Sequence, residues 1–145
     1  MGIEIFILKL LISTLMKNII IDTNFLMIPI QFMVDIFSEF NRICNFNYKL
    51  SIYEQSIREL KKIIEEQSGK NKKAAQFALK LVKLKDIGII ESEKAHVDTL
   101  ILNNLGKDTI IATQDIHLRK ELLKKGASVI ILRQKKYLQL IKKGL

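Results

Sequence analysis

One stretch constrains the fold of this chain more than any other: Lys17-Asn18-Ile19-Ile20-Ile21-Asp22-Thr23-Asn24, an isoleucine run that halts at a carboxylate. β-Branched residues bounded by turn formers specify a buried strand. Asp22 then stands at the carboxyl end of that strand, the rim where open parallel α/β sheets bind ligands. Asp22, Thr23 and Asn24 are also types that cap a following helix well. At this stretch alone, cap and site are both open.

The rest of the chain repeats the strand signal between amphipathic segments. An apolar turn region surrounds Pro29. Val34, Ile36, Phe37, Phe40 and Ile43 recur at helical spacing and predict a helix from about Phe32 to Asn45. Tyr48 to Ile52 reads as a second strand. Ser51 followed by Glu54 has the capping-box pattern for the next helix, Tyr53 to Glu66. Further helices are expected over Lys72–Lys85, Ala95–Leu105 and Asp115–Lys125, and strands over Gly88–Ile90, Thr109–Ala112 and Ser128–Leu132. Gly106 and Gly126 are good helix stops. A basic tail of helical character follows. Strands alternating with helices predict an α/β protein with a mostly parallel sheet of about five strands and helices on both faces.

The chain has 145 residues, enough for one domain with a substantial core. Hydrophobic residues make up 48% and charged residues 27%, which excludes a disordered chain. The net charge of +9 points to an anionic partner, nucleic acid first and an acidic membrane surface second. A Lys-rich solvated surface gives the same number. Cys44 is the sole cysteine, so no intramolecular disulfide forms, and a reducing, cytoplasmic setting is expected. With His96 and His117 the only histidines, a Cys/His zinc site is nearly excluded. Met1 to Met16 is apolar but short of the roughly 20 residues a membrane span needs. It lacks a basic start and a small-residue cleavage site, so it makes a poor signal peptide. It reads as an appended segment or as a start codon set too early, Met16 being a natural start, and no stable membrane insertion is expected.

Carboxylates recur at strand ends. Asp115 follows Ile110-Ile111-Ala112-Thr113-Gln114 in the same layout as Asp22. Right-handed crossovers bring the carboxyl ends of parallel strands to one rim, so the two can converge. Asp98 opens a helix just before that strand, and Glu59 lies two turns into the helix after the second strand. Each has a bland alternative: Asp98 and Asp115 as helix N-caps, Glu59 as a surface pair with Lys61 or Lys62. The repeated placement favours a shared site. Crowded carboxylates repel, and hard divalent cations such as Mg²⁺ or Mn²⁺ relieve that with all-oxygen ligands. Such ions serve displacement at a phosphodiester, and a basic surface around an acidic pocket suits a nuclease.

Four segments in this order resemble the PIN-domain ribonucleases, in the branch with archaeal relatives of the ribosomal-RNA-processing PIN proteins. They are Ile20-Ile21-Asp22-Thr23-Asn24, Ile57-Arg58-Glu59-Leu60-Lys61-Lys62, Val97-Asp98-Thr99-Leu100-Ile101 and Ile111-Ala112-Thr113-Gln114-Asp115-Ile116-His117-Leu118. The closing Val129-Ile130-Ile131-Leu132-Arg133-Gln134-Lys135-Lys136 is similar too. The resemblance spans about Met16 to Tyr137. It implies a three-layer α/β/α sandwich, with residues 1–15 appended and 16–145 forming a single PIN-like domain with a basic C-terminal tail. It implies a Mg²⁺- or Mn²⁺-dependent endoribonuclease in ribosomal-RNA processing or in a toxin-like role. Asp22, Glu59, Asp98 and Asp115 are the implied catalytic and metal-holding acids. Asn24 is implied to orient the first carboxylate or a water, and Thr113 to bond near the scissile phosphate. His117 departs from the pattern, standing where many members carry a further aspartate. That leaves the site one acid poorer and keeps open a catalytically silent RNA-binding or ribosome-assembly factor. A third reading, from another class, is a basic protein anchored to a membrane by Met1 to Met16.

Basic residues suit an RNA path: Lys70, Lys72 and Lys73 at one helix break, Arg119, Lys120, Lys124 and Lys125 on the last helix, and Arg133, Lys135, Lys136, Lys142 and Lys143 in the tail. Many of these lysines also serve simply to solvate helix faces. RNA or a ribosomal precursor particle is the expected partner, with a homodimer left open. No Gly-rich phosphate loop is present, which argues against nucleotide hydrolysis.

Overall fold

A computed structural model describes residues 2–142 of the chain, so Lys143 lies outside the described residues. The elements run α1 (Gly2–Leu15), β1 (Lys17–Ile21), a 3₁₀ turn (Thr23–Met27), α2 (Ile28–Phe32), α3 (Ile36–Ile43), β2 (Tyr48–Tyr53), α4 (Glu54–Glu66) and α5 (Gly69–Leu84). They continue with β3 (Gly88–Ile90), α6 (Val97–Asn103), β4 (Thr109–Ala112), α7 (Ile116–Lys124), β5 (Ser128–Arg133) and β6 (Tyr137–Ile141).

Six strands form one sheet in the order β3-β2-β1-β4-β5-β6. β1 to β5 pair in parallel, and β6 pairs antiparallel with β5. The isoleucine run earns its position by alternation, since successive side chains of a strand point to opposite faces. Ile19 and Ile21 pack with Phe25, Phe40 and Leu60 on one face. Ile20 packs with Leu100, Ile101 and Leu122 on the other. β4 does the same, with Ile110 and Ala112 on the first side and Ile111 on the second. Two cores sandwich the sheet, giving the α/β/α layers that alternation predicts.

Register then positions the rim. Ile20 stands opposite Ser51 of β2, and Ile21 opposite Ala112 of β4. The carboxyl ends of β1, β2 and β4 therefore lie side by side. Asp22 continues the ladder for one more bond, its N–H donating to Ala112 O at 2.9 Å.

Several expectations need correction. The basic tail is a strand, not a helix: Leu138 and Leu140 turn inward opposite Leu132 and Ile130. A left-handed turn at Gln134 and Lys135 sets up that pairing. The helix expected from Phe32 starts only at Ile36, because Phe32 closes α2, Met33 takes φ 58 and Asp35 caps α3; α2 itself lies in the segment that reads as an apolar turn. Pro29 sits in the first turn of α2, where a missing N–H costs nothing. Ser51 caps no helix; it lies in β2 and its hydroxyl donates to Asn18 Oδ1 at 2.9 Å. The cap on α4 comes from Ser92, whose Oγ accepts from Gln55 N at 3.0 Å.

α1 is mostly apolar, with Glu4 and Lys9 within it and Ile3, Ile5, Phe6, Ile7 and Leu8 exposed. Among the described residues no helix is long and apolar enough to cross a membrane.

Candidate active site

Asp22 follows β1 because the run of β-branched residues ends there. It caps the 3₁₀ turn, its Oδ1 accepting from Thr23 N at 2.9 Å. Its Oδ2 accepts from Thr113 Oγ1 at 2.8 Å. Thr113 is fully buried just beyond β4, and its Oγ1 also accepts from Asp115 N at 3.0 Å. One hydroxyl thus ties the two rim aspartates together, donating to the first and receiving from the backbone of the second. Thr113 is held to Asp22 rather than left open toward a ligand.

Asp115 caps α7, its Oδ1 accepting from His117 N at 2.9 Å and Leu118 N at 3.1 Å. The cap reading is correct for Asp115, yet it occupies only one carboxylate oxygen. Glu59 projects from α4, and its Oε1 lies 3.0 Å from Thr23 Oγ1. Thr23 Oγ1 also lies 2.8 Å from Ser56 Oγ. A carboxylate only accepts, so the Thr23 proton goes to Glu59 and Ser56 donates to Thr23. Glu59 makes no ion pair with Lys61 or Lys62. Asp98 lies in the first turn of α6, exposed, its Oδ1 accepting from Thr99 N at 2.8 Å.

Two of the acids, Asp22 and Glu59, lie in the field of the others. Burial pushes the Asp22 carboxyl above the usual range; hydrogen bonds from Thr113 and Thr23 oppose that, and the charges of Asp115 and Asp98 add to it. Burial likewise raises Glu59, opposed by the Thr23 bond and by His96, with Asp22 and Asp98 raising it further. None of the four has a salt bridge among the described residues. Their donor chemistry, all carboxylate oxygen around a repulsive field, fits a hard divalent cation. In this arrangement no three acidic or histidine side chains among the described residues stand close enough to hold an ion.

The supporting residues are placed as follows. Asn24 is exposed, its side chain makes no hydrogen bond within the described residues, and its backbone oxygen accepts from Gln114 Nε2 at 3.2 Å. His117 is exposed in the first turn of α7. Lys70, Lys72 and Lys73 stand exposed at the start of α5. Arg119 is half-buried on α7. Arg133 Nε donates to Gln139 Oε1 at 2.7 Å across the β5–β6 hairpin. Lys135 sits 5.9 Å above the Phe32 ring, and Lys136 is exposed at the same turn.

Sequence reasoning missed Thr23 and Ser56 as supports for Glu59, and His96 as a neighbour of its carboxylate. The i, i+3 spacing of Ser56 and Glu59 puts both on one helix face, which is the signal that could have found Ser56.

Comparison with known proteins agrees with this architecture. The family described as PIN like domain matches residues 19–135. Ribonuclease VapC4 of Methanocaldococcus jannaschii is 28% identical over 127 residues, spanning 86% of this chain and 97% of the relative. The solved structure of the PIN domain endonuclease Utp24 superposes with a TM-score of 0.72 at 18% identity. That match covers 88% of this chain and 95% of the other, and it shows a shared fold.

Proposed function

The chain belongs to the PIN-like domain family, and from that premise we propose that it is a divalent-metal-dependent endoribonuclease. Asp22, Glu59, Asp98 and Asp115 are its working acids and the residues that would hold Mg²⁺ or Mn²⁺. The observation that carries the reading is convergence at one strand rim: the Thr113 hydroxyl ties Asp22 to the backbone of Asp115, Thr23 ties Glu59 beside them, and burial together with acids from other elements raises the half-buried Asp22 and Glu59 carboxyls. A relative named a ribonuclease supports RNA as the substrate class. Ribosomal-RNA processing and a toxin-like role are both compatible with this chemistry, in a cytoplasmic setting.

When bound, the ion supplies charge neutralisation and Lewis acidity toward a phosphoryl oxygen. The chain's own residues do the rest. Thr113 and Thr23 fix the Asp22 and Glu59 carboxylates in single orientations, which preorganises the acids before substrate arrives. The N-terminus of α7 fixes Asp115 through one oxygen and leaves the other for chemistry. Asn24, with its amide unused, is available to orient a water or a phosphate oxygen. Lys70, Lys72, Lys73, Arg119, Arg133, Lys135 and Lys136 supply phosphate contacts that give affinity without sequence choice.

The test is cleavage of a single-stranded RNA by purified protein with Mn²⁺ or Mg²⁺, with and without chelator, beside Asp22→Asn. Cleavage that needs the ion and Asp22 supports the reading. Protein that binds RNA but cuts none, with either ion, moves the assignment to a silent RNA-binding or assembly factor. One observation favours that second reading: among the described residues no three acidic, histidine or cysteine side chains are grouped to hold an ion.

A further inference from the structure

We propose that the cleft beside Asp115 is a nucleobase subsite for an unpaired base carrying an exocyclic amino group, adenine foremost, next to the scissile phosphate. This rests on the ribonuclease reading above. The cleft has a volume of about 490 Å³, and Asn24, Gln31, Gln67, Asn71, Gln114 and Asp115 line it. That size lies within the roughly 300–1,000 Å³ of small-molecule sites. Three segments build it: the turn after β1 leading into α2, the hairpin between α4 and α5, and the loop between β4 and α7.

Chemistry selects the occupant. Each carboxamide carries two donors and an acceptor, and the only charge in the lining is the Asp115 carboxylate. A phosphate would meet that carboxylate with no cation in the wall. A base edge instead alternates donors and acceptors, which carboxamides match in pairs. Two internal bonds preset the wall. Gln114 Nε2 donates to Asn24 O at 3.2 Å, and Asn71 Nδ2 donates to Gln67 Oε1 at 3.0 Å. Left for a ligand are the Gln114 and Asn71 oxygens, the Gln67 amide nitrogen, and the whole amides of Asn24 and Gln31.

Those amide acceptors suit an exocyclic amine. Uracil has none. The N7 and O6 edge of guanine is two acceptors and calls for Arg or Lys, which the wall lacks. Adenine presents N6 as donor beside N7 as acceptor, the pair that Asn or Gln reads in two bonds. Met27 and Ile63 complete the cleft and offer an apolar surface to the face of the ring. Lys70, Lys72 and Lys73, on either side of Asn71 in sequence, are exposed to take the flanking phosphates. Single-stranded RNA with splayed bases is the form in which such edges can be read.

The test separates base choice from cleavage. End-labelled A6 and U6 oligoribonucleotides are titrated with the full chain in chelator, by fluorescence anisotropy, for wild type, Gln31→Ala and Gln67→Ala/Asn71→Ala. Wild type is expected to prefer A6 by on the order of tenfold, the scale of one two-bond base contact. Both variants should narrow the A6-to-U6 ratio toward unity, with the double variant at the exposed hairpin giving the larger change. Equal binding of A6 and U6 by wild type overturns the subsite, as does a ratio that the variants leave intact. Mapping cut ends with Mn²⁺ adds the second arm. Cutting without adenine preference ends the subsite and leaves the ribonuclease reading standing. An A6 preference in protein that cuts no RNA keeps the subsite as a binding site and ends the ribonuclease reading.

Discussion

Asp35 and Asp115 start their helices in the same way. Asp35 Oδ1 accepts from Phe37 N at 3.1 Å and Ser38 N at 3.2 Å; Asp115 Oδ1 accepts from His117 N at 2.9 Å and Leu118 N at 3.1 Å. Their surroundings differ. Asp35 borders an apolar groove with Met33, Phe37, Phe77 and Lys85, where the only other charge is a cation. Asp115 borders a cleft of carboxamides and joins its charge to that of Asp22. Capping and ligand roles are therefore not alternatives. A cap uses one carboxylate oxygen, and the strand rim decides whether the other meets a cation, a substrate or only water.

Breaking this comparison is most direct through cleavage. Asp115→Asn keeps the capping oxygen and loses the charge. It should lower single-turnover RNA cleavage by more than about a hundredfold, since losing even an outer-shell partner of a metal site costs 10–100-fold. Asp35→Asn should leave the rate within about twofold on the same scale. Equal losses in the two variants would reduce the effect at Asp115 to helix stability.

Stability sharpens the contrast from the other side. Asp35→Ala removes a cap and should cost about 1 kcal/mol, or a melting temperature lower by roughly 2–4 °C. Asp115→Ala loses an equivalent cap but relieves repulsion at Asp22, so in chelator its loss should be smaller. Thermal melts of both variants give the order, and a larger loss at Asp115 would contradict the account.

A pH series extends the argument to the half-buried acids Asp22 and Glu59. Asp22 and Glu59 have folded-state proton affinities raised chiefly by burial. The folded chain therefore holds more protons than the unfolded chain between the ordinary carboxylate range and the raised values. Stability of the metal-free protein should fall as pH rises through that window. Asp22→Asn should raise the melting temperature above the window, by an amount on the order of 1 kcal/mol in stability. The gain should vanish below it, where Asp22 is already neutral. A drop at neutral pH would make Asp22 a structural cap alone.

The smallest effect belongs to the basic surface. Neutralising Lys70, Lys72 and Lys73 should flatten the salt dependence of RNA binding, each phosphate contact contributing roughly 0.7 to the slope for single strands. The cleavage rate of saturated complex should hold. Filter binding across a salt series, beside single-turnover rates, reads both.

Much of this was legible because strands and acids recur together. The runs ending at Asp22 and beyond Ala112 announced both the parallel sheet and its rim, and alternation placed each isoleucine on its face. β6 was hidden because Lys135 and Lys136 make its approach look like a solvated tail. Its signal, Leu138 and Leu140 alternating with Tyr137, Gln139 and Ile141, is only five residues long. The Ser92 cap on α4 was invisible because its partner is 37 positions away in sequence. Thr23 and Ser56 went unseen for a related reason: a buried hydroxyl carries no charge or periodicity, and only the folded chain brings it to Glu59.

Calorimetric titration of Mn²⁺ into the full chain tests the central claim most directly. The account predicts saturable binding by wild type, unchanged in Asp35→Asn and lost or weakened at least tenfold in Asp115→Asn, the lower scale for disturbing a metal site. Equal Mn²⁺ binding by wild type and Asp115→Asn, or none by wild type, would contradict it.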